Sequence, residues 1–244
     1  MVRVQREHSP ALVLTDGGPP SLVAAAIEAE ASLRAGGDEG GHTTGSRLMP
    51  VPIACAQRDA AAQAAEQHER LFGIGLLPVD LELWTLAARF EHRAGLVLST
   101  AIEVARGLGL SRVVWPALPG EKPEGEPVLA AVASIIDQTV LATRLSTAAT
   151  LGEGEEIRVE APFADLTRRQ IADLVEDFAL PLDACWWAQE AARETDGSRA
   201  ERERWERAAA RGEVRVSPVA RLAGHDRDAH ATAHPGPRDA PDRR

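Results

Sequence analysis

The first third of the chain alternates between short apolar runs and longer stretches in which alanine and charged residues recur with helical spacing. The run ALVLT, residues 11–15, predicts a buried strand. The segment from Ser21 to about Ala35 predicts a helix, and the glycine-rich stretch that follows it predicts a loop. A second apolar run, LMPVPIAC, precedes an alanine-rich helix with Asp59 near its N-cap and Gly73 just after its end.

The same alternation continues to about residue 187. LLPVDL predicts a short extended piece, AGLVLSTAIEVARGLG a helix and SRVVWPA a strand. A long helix is expected from about Val128 to Ala149, and EIRVEAP predicts the last strand. Thr167 and Gln170 form a capping box that opens a further helix. Because strands separated by helices pair in parallel through right-handed crossovers, the pattern predicts an α/β fold with a doubly wound parallel sheet.

Three regions follow from the composition along the chain. Residues 1–187 are expected to form the α/β domain, and residues 188–216 a C-terminal helical extension. In that extension SRAERERWERAAARGEV predicts an amphipathic helix with Trp205 on its apolar side. The tail, residues 217–244, has almost no large apolar side chains, so we expect it to be disordered.

Composition and charge narrow the classes of function. The chain has 244 residues and a formal net charge of -10, which argues against generic binding to nucleic acid. The N-terminus lacks the apolar core of a signal peptide, and the two cysteines, Cys55 and Cys185, stand far apart, so a cytoplasmic protein is expected. No apolar run is expected to reach the roughly 18 to 20 residues of a membrane helix, and no membrane association is predicted.

The stretch TDGGPPS, residues 15–21, lies where the first strand passes into the first helix. One interpretation is an anion site, because paired glycines let the backbone approach a ligand and a helix N-terminus presents unpaired N–H groups. The other is a tight turn in which the glycines bend, a proline starts the helix and Ser21 caps it. The spacing by itself leaves both open.

The order of LVLTDGGPPSLVAAAI, VPIACAQRDAAAQAAEQHERLFGI, EHRAGLVLSTAIEVARGLGLSRVVWPA and EIRVEAPFADLTRRQIADLVEDFALPLDACWW resembles the PP-loop ATP pyrophosphatases, and most closely the 7-cyano-7-deazaguanine synthases. The resemblance covers roughly residues 11–187. It implies a five-stranded parallel sheet of order 3-2-1-4-5 that binds ATP after the first strand. Those synthases adenylate a carboxylate and convert it to a nitrile with ammonia. The resemblance assigns a nucleotide-binding role to Thr15, Asp16, Gly17, Gly18, Ser21 and Arg93, and it assigns no catalytic residue.

The loop departs from the family at two positions. Asp16 stands where the family has a serine, and Pro20 stands where it has an aspartate. A carboxylate facing ATP phosphates at about 4 Å costs on the order of 1 to 4 kcal/mol, unless a magnesium ion bridges the two. Pro20 has no N–H to donate. ATP with magnesium is therefore the expected cofactor only if Asp16 binds the metal.

Other family residues are missing as well. The residues that hold the deazapurine acid in the family are absent at Gly125 to Ala130, and of the four cysteines that bind zinc only the region around Cys185 has a counterpart. One thiol cannot build a tetrahedral site, so no zinc is expected. We expect a helix packed through Trp186, Trp187 and Trp205 to replace the zinc as the clamp on the C-terminal end.

Two functions remain open from the sequence. The first is a divergent synthase-like protein that does not carry out the synthase reaction, with an adenine-nucleotide-binding fold and protein contacts through its C-terminal region. The alternative is an active ATP-dependent enzyme, similar to a C–N ligase, that adenylates an acidic substrate with magnesium. Where the family has Pro-Gly-Arg-Asn, the chain has Glu91-His92-Arg93-Ala94, of which Arg93 matches and the asparagine does not.

Overall fold

The computed structural model describes residues 9–35, 45–51, 58–78, 80, 93–119, 128–149, 156–192 and 195–210. The strands are β1 (Ala11–Thr15), β2 (Arg47–Pro50), β3 (Gly75–Leu76), β4 (Arg112–Val114) and β5 (Arg158–Glu160). The helices are α1 (Pro19–Ala35), α2 (Arg58–Phe72), α3 (Arg93–Gly107), α4 (Val128–Ala149), α5 (Arg168–Asp177) and α6 (Asp196–Ala210). Three short 3-10 turns, Leu182–Ala184, Trp186–Ala188 and Glu190–Ala192, join α5 to α6.

The five strands form one parallel sheet with the order β3-β2-β1-β4-β5. The central strand, β1, pairs with β2 on one side and with β4 on the other. The direction of winding reverses between β1 and β4, so the carboxyl end of β1 lies at the switch point of the sheet, where ligands bind in this architecture. The predicted fold class and the order 3-2-1-4-5 are confirmed.

Alternating side chains of β1 divide the core into two layers. Ala11 and Val13 pack with α1 and α2 and with the C-terminal tryptophans, whereas Leu12 and Leu14 pack with α3 and α4 on the opposite face. A strand that is buried on both faces has to be apolar throughout, and all five residues of β1 are buried. The continuous apolar run ALVLT therefore predicted this strand correctly.

Two helix ends lie where the sequence predicts them, and a third, the start of α1, does not. Gly73 follows α2 with a φ of +65°, and the capping box at the start of α5 is present, with Gln170 N–H donating to Thr167 Oγ1. However, α1 begins at Pro19 and not at Ser21. The reason is that proline has a helical φ and needs no N–H acceptor in the first turn, so both prolines lie inside the helix.

The three tryptophans of the C-terminal region pack together as the sequence predicts. The rings of Trp186 and Trp187 meet edge to face at 5.9 Å between centroids, and Trp205 from α6 stacks on Trp187 at 6.4 Å. All three are buried in the same core as α1 and α2. A protein partner would therefore contact the polar surface of this region and not its indoles. The domain boundaries at residues 187 and 216 stay predictions, and the tail lies outside the described residues.

The long helix α4 corrects one expectation. Residues Val128–Thr147 are long and apolar enough, by length and composition only, to cross a membrane, although no such run was expected from the sequence. Only two ionisable residues, Asp137 and Arg144, interrupt this apolar stretch. In the folded chain this helix packs on α3 and β5.

Candidate functional site

The turn between β1 and α1 is closed by the carboxylate of Asp16. Gly18 N–H and the Ser21 hydroxyl both donate to Asp16 Oδ1, each over 2.9 Å. The Ser21 hydroxyl also lies 2.9 Å from the Gly18 carbonyl oxygen. A main-chain N–H and a hydroxyl at the start of a helix are the donors that a bound phosphate would use. Here an internal carboxylate accepts from both.

Burial raises the pKa of the Asp16 carboxyl above its ordinary value, and the hydrogen bonds from Gly18 and Ser21 oppose that shift. The side chain of Asp16 is half-buried, so it keeps some contact with solvent. Removing a carboxylate from water disfavours its charged form, whereas donors aimed at it favour that form. Because burial outweighs the donors, the loop holds an acidic group with a raised pKa at the place where the resemblance implies the charge of a ligand.

Gly17 fits against other parts of the protein. Its φ is +76°, and a Cβ there would lie 2.7 Å from Ala64 Cβ and 3.2 Å from Trp186 Cβ. Trp186 N–H donates to the Gly17 carbonyl oxygen over 2.8 Å. The missing side chain therefore allows α2 and the C-terminal turns to approach the loop, and this contact explains the glycine without a ligand.

We expect Gly17→Ala to destabilise the protein by about 1–3 kcal/mol more than Gly73→Ala does, because overpacking is added to the cost of a positive φ. Gly73 is the matched control, since its φ is +65° and a Cβ there meets nothing within 4 Å. Chemical denaturation of both variants measures the difference. Equal losses would contradict the close approach at Gly17.

His68, which the sequence analysis did not single out, lies beneath the loop. Its Nδ1 is 3.3 Å from Thr15 Oγ1, and the same oxygen accepts from Gly17 N–H over 3.2 Å. The side chain is fully buried, and its Nε2 has no hydrogen-bond partner among the residues that the structure describes. Burial lowers the pKa of His68 to about 4, and the backbone of Ala184 acts in the other direction. His68 is therefore neutral at neutral pH.

The signal that could have revealed His68 is its position on α2. The buried residues of that helix recur at intervals of three or four, and the last of them is the histidine; they are Ala60, Ala61, Ala64, Ala65 and His68. An apolar stripe of alanines that ends in histidine indicates that the ring enters the core. The polar partner of His68, Thr15, belongs to β1, so the spacing of residues along α2 does not predict this contact.

Most of the residues assigned by resemblance come together. Five of them lie in one turn at the switch point: Thr15, Asp16, Gly17, Gly18 and Ser21. Arg93 is the first residue of α3, and its side chain lies outside what the structure describes. Residues 52–57, which include Cys55, and residues 120–127 lie outside it too. The expected substrate region, Gly125 to Ala130, is therefore described only from Val128, where α4 begins.

The described loop does not fit the phosphates of ATP. Its Gly18 amide and Ser21 hydroxyl are engaged by Asp16, and Gly17 N–H donates to Thr15. The next two positions are prolines, which supply no N–H. In the described parts of the chain no group of three or more His, Cys, Asp or Glu side chains could hold a metal ion. Burial raises the pKa of the Cys185 thiol well above its usual range, and the charges of Asp16 and Asp183 add to the shift.

A polar cavity of about 400 Å³ lies between α2 and the 3-10 turns. Its walls come from Gln63, Glu66, Gln67, Arg70, Asp183, Ala188, Gln189 and Glu190. Gln189 is fixed in the cavity wall by hydrogen bonds. Its side-chain oxygen accepts from Gln67, and its side-chain nitrogen donates to the carbonyl oxygens of Asp183 and Cys185. None of the loop residues from Thr15 to Ser21 lines this cavity.

No protein-family model matches the chain, and no curated protein does. Among solved structures, the chain is similar to the U34-tRNA thiolase NcsA from Methanococcus maripaludis with its [4Fe-4S] cluster. The TM-score is 0.48 and the identity 14%, over 87% of this chain and 72% of that one. The cluster and the tRNA are properties of that protein.

Proposed function

We propose that this chain is a PP-loop-type protein, similar to the 7-cyano-7-deazaguanine synthases, that does not carry out the synthase reaction. The observation that carries the proposal is the closure of the loop by Asp16. Its carboxylate accepts from Gly18 N–H and from the Ser21 hydroxyl at 2.9 Å each. A phosphate that entered would have to displace this carboxylate and then remain next to its charge, and both steps oppose binding.

The position of the loop supports its descent from a nucleotide site. It follows the central strand of a sheet with the order 3-2-1-4-5, and it begins a helix at the switch point. The motif order along the sequence resembles the same family. If this fold has lost its phosphate donors, the role that remains is that of a binding or scaffold protein. We propose that a protein partner contacts the polar surface of the C-terminal region.

The alternative function is an active enzyme that uses magnesium and ATP. It is favoured by one observation, the partial exposure of Asp16 at the switch point. A magnesium ion between this carboxylate and the phosphate oxygens would convert repulsion into attraction, as oxygen ligands suit that metal. The reaction would then be adenylation of an acidic substrate, similar to that of a C–N ligase. In this alternative, Gly17, Gly18 and Ser21 form the phosphate loop and Asp16 holds the magnesium ion.

Calorimetric titration with ATP, with and without magnesium, tests the proposal. We expect no binding by the natural chain and a gain of binding by Asp16→Ser, which restores the hydroxyl of the family and removes the charge. Asp16→Asn is the matched control. Its amide oxygen still accepts from Gly18 and Ser21, so the loop stays closed and no binding is expected although the charge is gone.

Magnesium-dependent binding of ATP by the natural chain would overturn the proposal. If Asp16→Asn then abolished that binding, Asp16 would be a metal ligand and the enzyme alternative would stand. Release of pyrophosphate in the presence of candidate carboxylic acids would be the next measurement. Binding that does not need magnesium and that Asp16→Asn leaves unchanged would show that the closed loop does not exclude the nucleotide.

A further inference from the structure

The outer face of α4 exposes large apolar side chains to solvent. In the part of the chain that the structure describes, eleven large apolar side chains are exposed, and six of them belong to this helix. They are Val128, Leu129, Ile136, Val140, Leu141 and Leu145. Leu129 is 80% exposed and Leu141 is 58% exposed. Several large apolar side chains exposed on one helix mark an interaction site far more often than isolated exposed leucines do.

The inner face of α4 is held in place by polar and apolar contacts, so rotation of the helix cannot bury its outer face. Ala131, Ile135 and Ala142 are buried in the core. Thr143 Oγ1 accepts from Val159 N–H over 3.0 Å, and Ser146 Oγ accepts from Ile157 N–H over 3.1 Å. These two hydroxyls satisfy amides along β5, the last strand of the sheet. Turning α4 would leave those amides without acceptors.

The only two ionisable residues of α4 lie on the exposed side of the helix. Asp137 and Arg144 are both exposed, and neither forms an ion pair with another residue that the structure describes. They are seven residues apart, which is two turns or about 10.5 Å along the axis, so they point in nearly the same direction. The exposed residues Val140 and Leu141 lie midway between them.

We infer that a second copy of this chain covers the outer face of α4, with the two helices antiparallel about a two-fold axis near Val140 and Leu141. Such an axis exchanges the two charged positions, so Asp137 of each copy meets the partner's Arg144. The apolar residues at the centre contact their own counterparts. A two-fold interface uses the same patch on both subunits, and this patch is complementary to itself in charge and in hydrophobicity.

The charges favour a second copy over a lipid surface. The chain carries a net charge of -10, which an anionic bilayer repels. Helices that lie on membranes are usually rich in lysine and arginine on their polar face, whereas α4 has a single arginine, Arg144. A parallel pairing of two copies is also disfavoured, because it would align the like charges.

Sedimentation velocity of the full chain over a range of concentrations tests the inference, and the charge reversals D137R and R144D make the test specific. We expect the natural chain to dimerise and each single reversal to weaken the dimer at least about tenfold, since each places like charges opposite each other. D137R carries arginine at both positions and R144D carries aspartate at both, so a mixture of the two variants should form heterodimers. The doubly reversed chain should dimerise as the natural chain does.

Two further variants separate this interface from a general effect of exposed apolar surface. Leu141→Glu should give a monomer, because it places a pair of acidic groups at the axis. Leu33→Glu is the control, since Leu33 is 70% exposed on α1, outside the outer face of α4, and its replacement should leave the dimer intact. Circular dichroism of each variant checks that the fold is retained.

Three outcomes would overturn the inference. The natural chain could be monomeric at every concentration, or its dimer could be insensitive to D137R and Leu141→Glu, which would place the interface elsewhere. A monomer that floats with neutral phosphatidylcholine vesicles would assign the outer face of α4 to a membrane. Because Asp16 is not part of this surface, the result is independent of the ATP titration.

Discussion

Replacing Trp205 with alanine is expected to lower the free energy of unfolding by about 3–5 kcal/mol, the usual cost of removing a large aromatic side chain from a core. Trp205 is 4% exposed, and its ring stacks on Trp187. For a chain of this size the melting temperature should fall by roughly 10 °C. Thermal unfolding followed by near-ultraviolet circular dichroism reports on both the melt and the packing of the indoles.

The polar partners of Trp205 add to that loss. Its Nε1–H donates to Glu201 Oε1 over 3.0 Å, and the guanidinium of Arg168 lies 5.4 Å from the ring centroid. Arg168 also pairs with Glu201 at 3.1 Å, so the ring holds a small network between α5 and α6. Removing the ring leaves these charges closer to solvent and without their common neighbour.

Trp205→Phe serves as the matched control. It retains an aromatic ring against Trp187 and loses the donor to Glu201 and the volume of the pyrrole ring, so a smaller decrease in stability than that of the alanine variant is expected. If the alanine variant has the same melting temperature as the natural chain, α6 does not clamp the C-terminal end. Full loss in the phenylalanine variant would instead assign the effect to the pyrrole ring with its hydrogen bond, and not to an aromatic ring stacked on Trp187.

The second large effect is a loss of stability on acidification that originates at His68. The pKa of this buried histidine is lowered from 6.5 to about 4, so the folded protein keeps it neutral while the unfolded chain takes up a proton. Its contribution to stability is complete above pH 6.5 and is lost as the pH falls from 6.5 towards 4. A shift of this size corresponds to about 3 kcal/mol over that interval.

Denaturant unfolding at several pH values, with His68→Gln as the comparison, measures this contribution. Glutamine keeps a polar side chain near Thr15 but does not ionise, so its stability should depend less steeply on pH between 6.5 and 4. Parallel curves for the two proteins would contradict a neutral, buried His68. Asp16 acts with the opposite sign, because a raised carboxyl pKa makes the folded protein bind a proton more readily than the unfolded chain.

The elements of the fold could be predicted from sequence because their signals are local. The apolar run at residues 11–15, the helix from Val128 to Ala149 and the capping box of Thr167 and Gln170 all depend on residues within a few positions of one another. The sheet order came from a family resemblance and was confirmed by the strand pairing. The start of α1 was misplaced by two residues because a proline pair and a capping serine predict different first turns.

The sequence predicted which residues form the candidate site, but it did not predict their hydrogen bonds. The resemblance located Asp16 in the loop and described its charge as facing a ligand. Its actual orientation depends on donors from Gly18 and Ser21 and on the approach of Trp186, which is distant along the chain. No local pattern encodes such a contact, since it exists only when the C-terminal turns reach the carboxyl end of β1.

The sequence by itself determined the order of strands and helices, the doubly wound class and the glycine-containing loop after the first strand, because periodicity and turn chemistry act over short distances. Only the tertiary structure decided that Asp16 closes the loop, that His68 stays neutral, and that the outer face of α4 is left exposed. Those three properties depend on which side chains meet across the fold, and burial and charge at a residue are set by neighbours that its own segment does not contain.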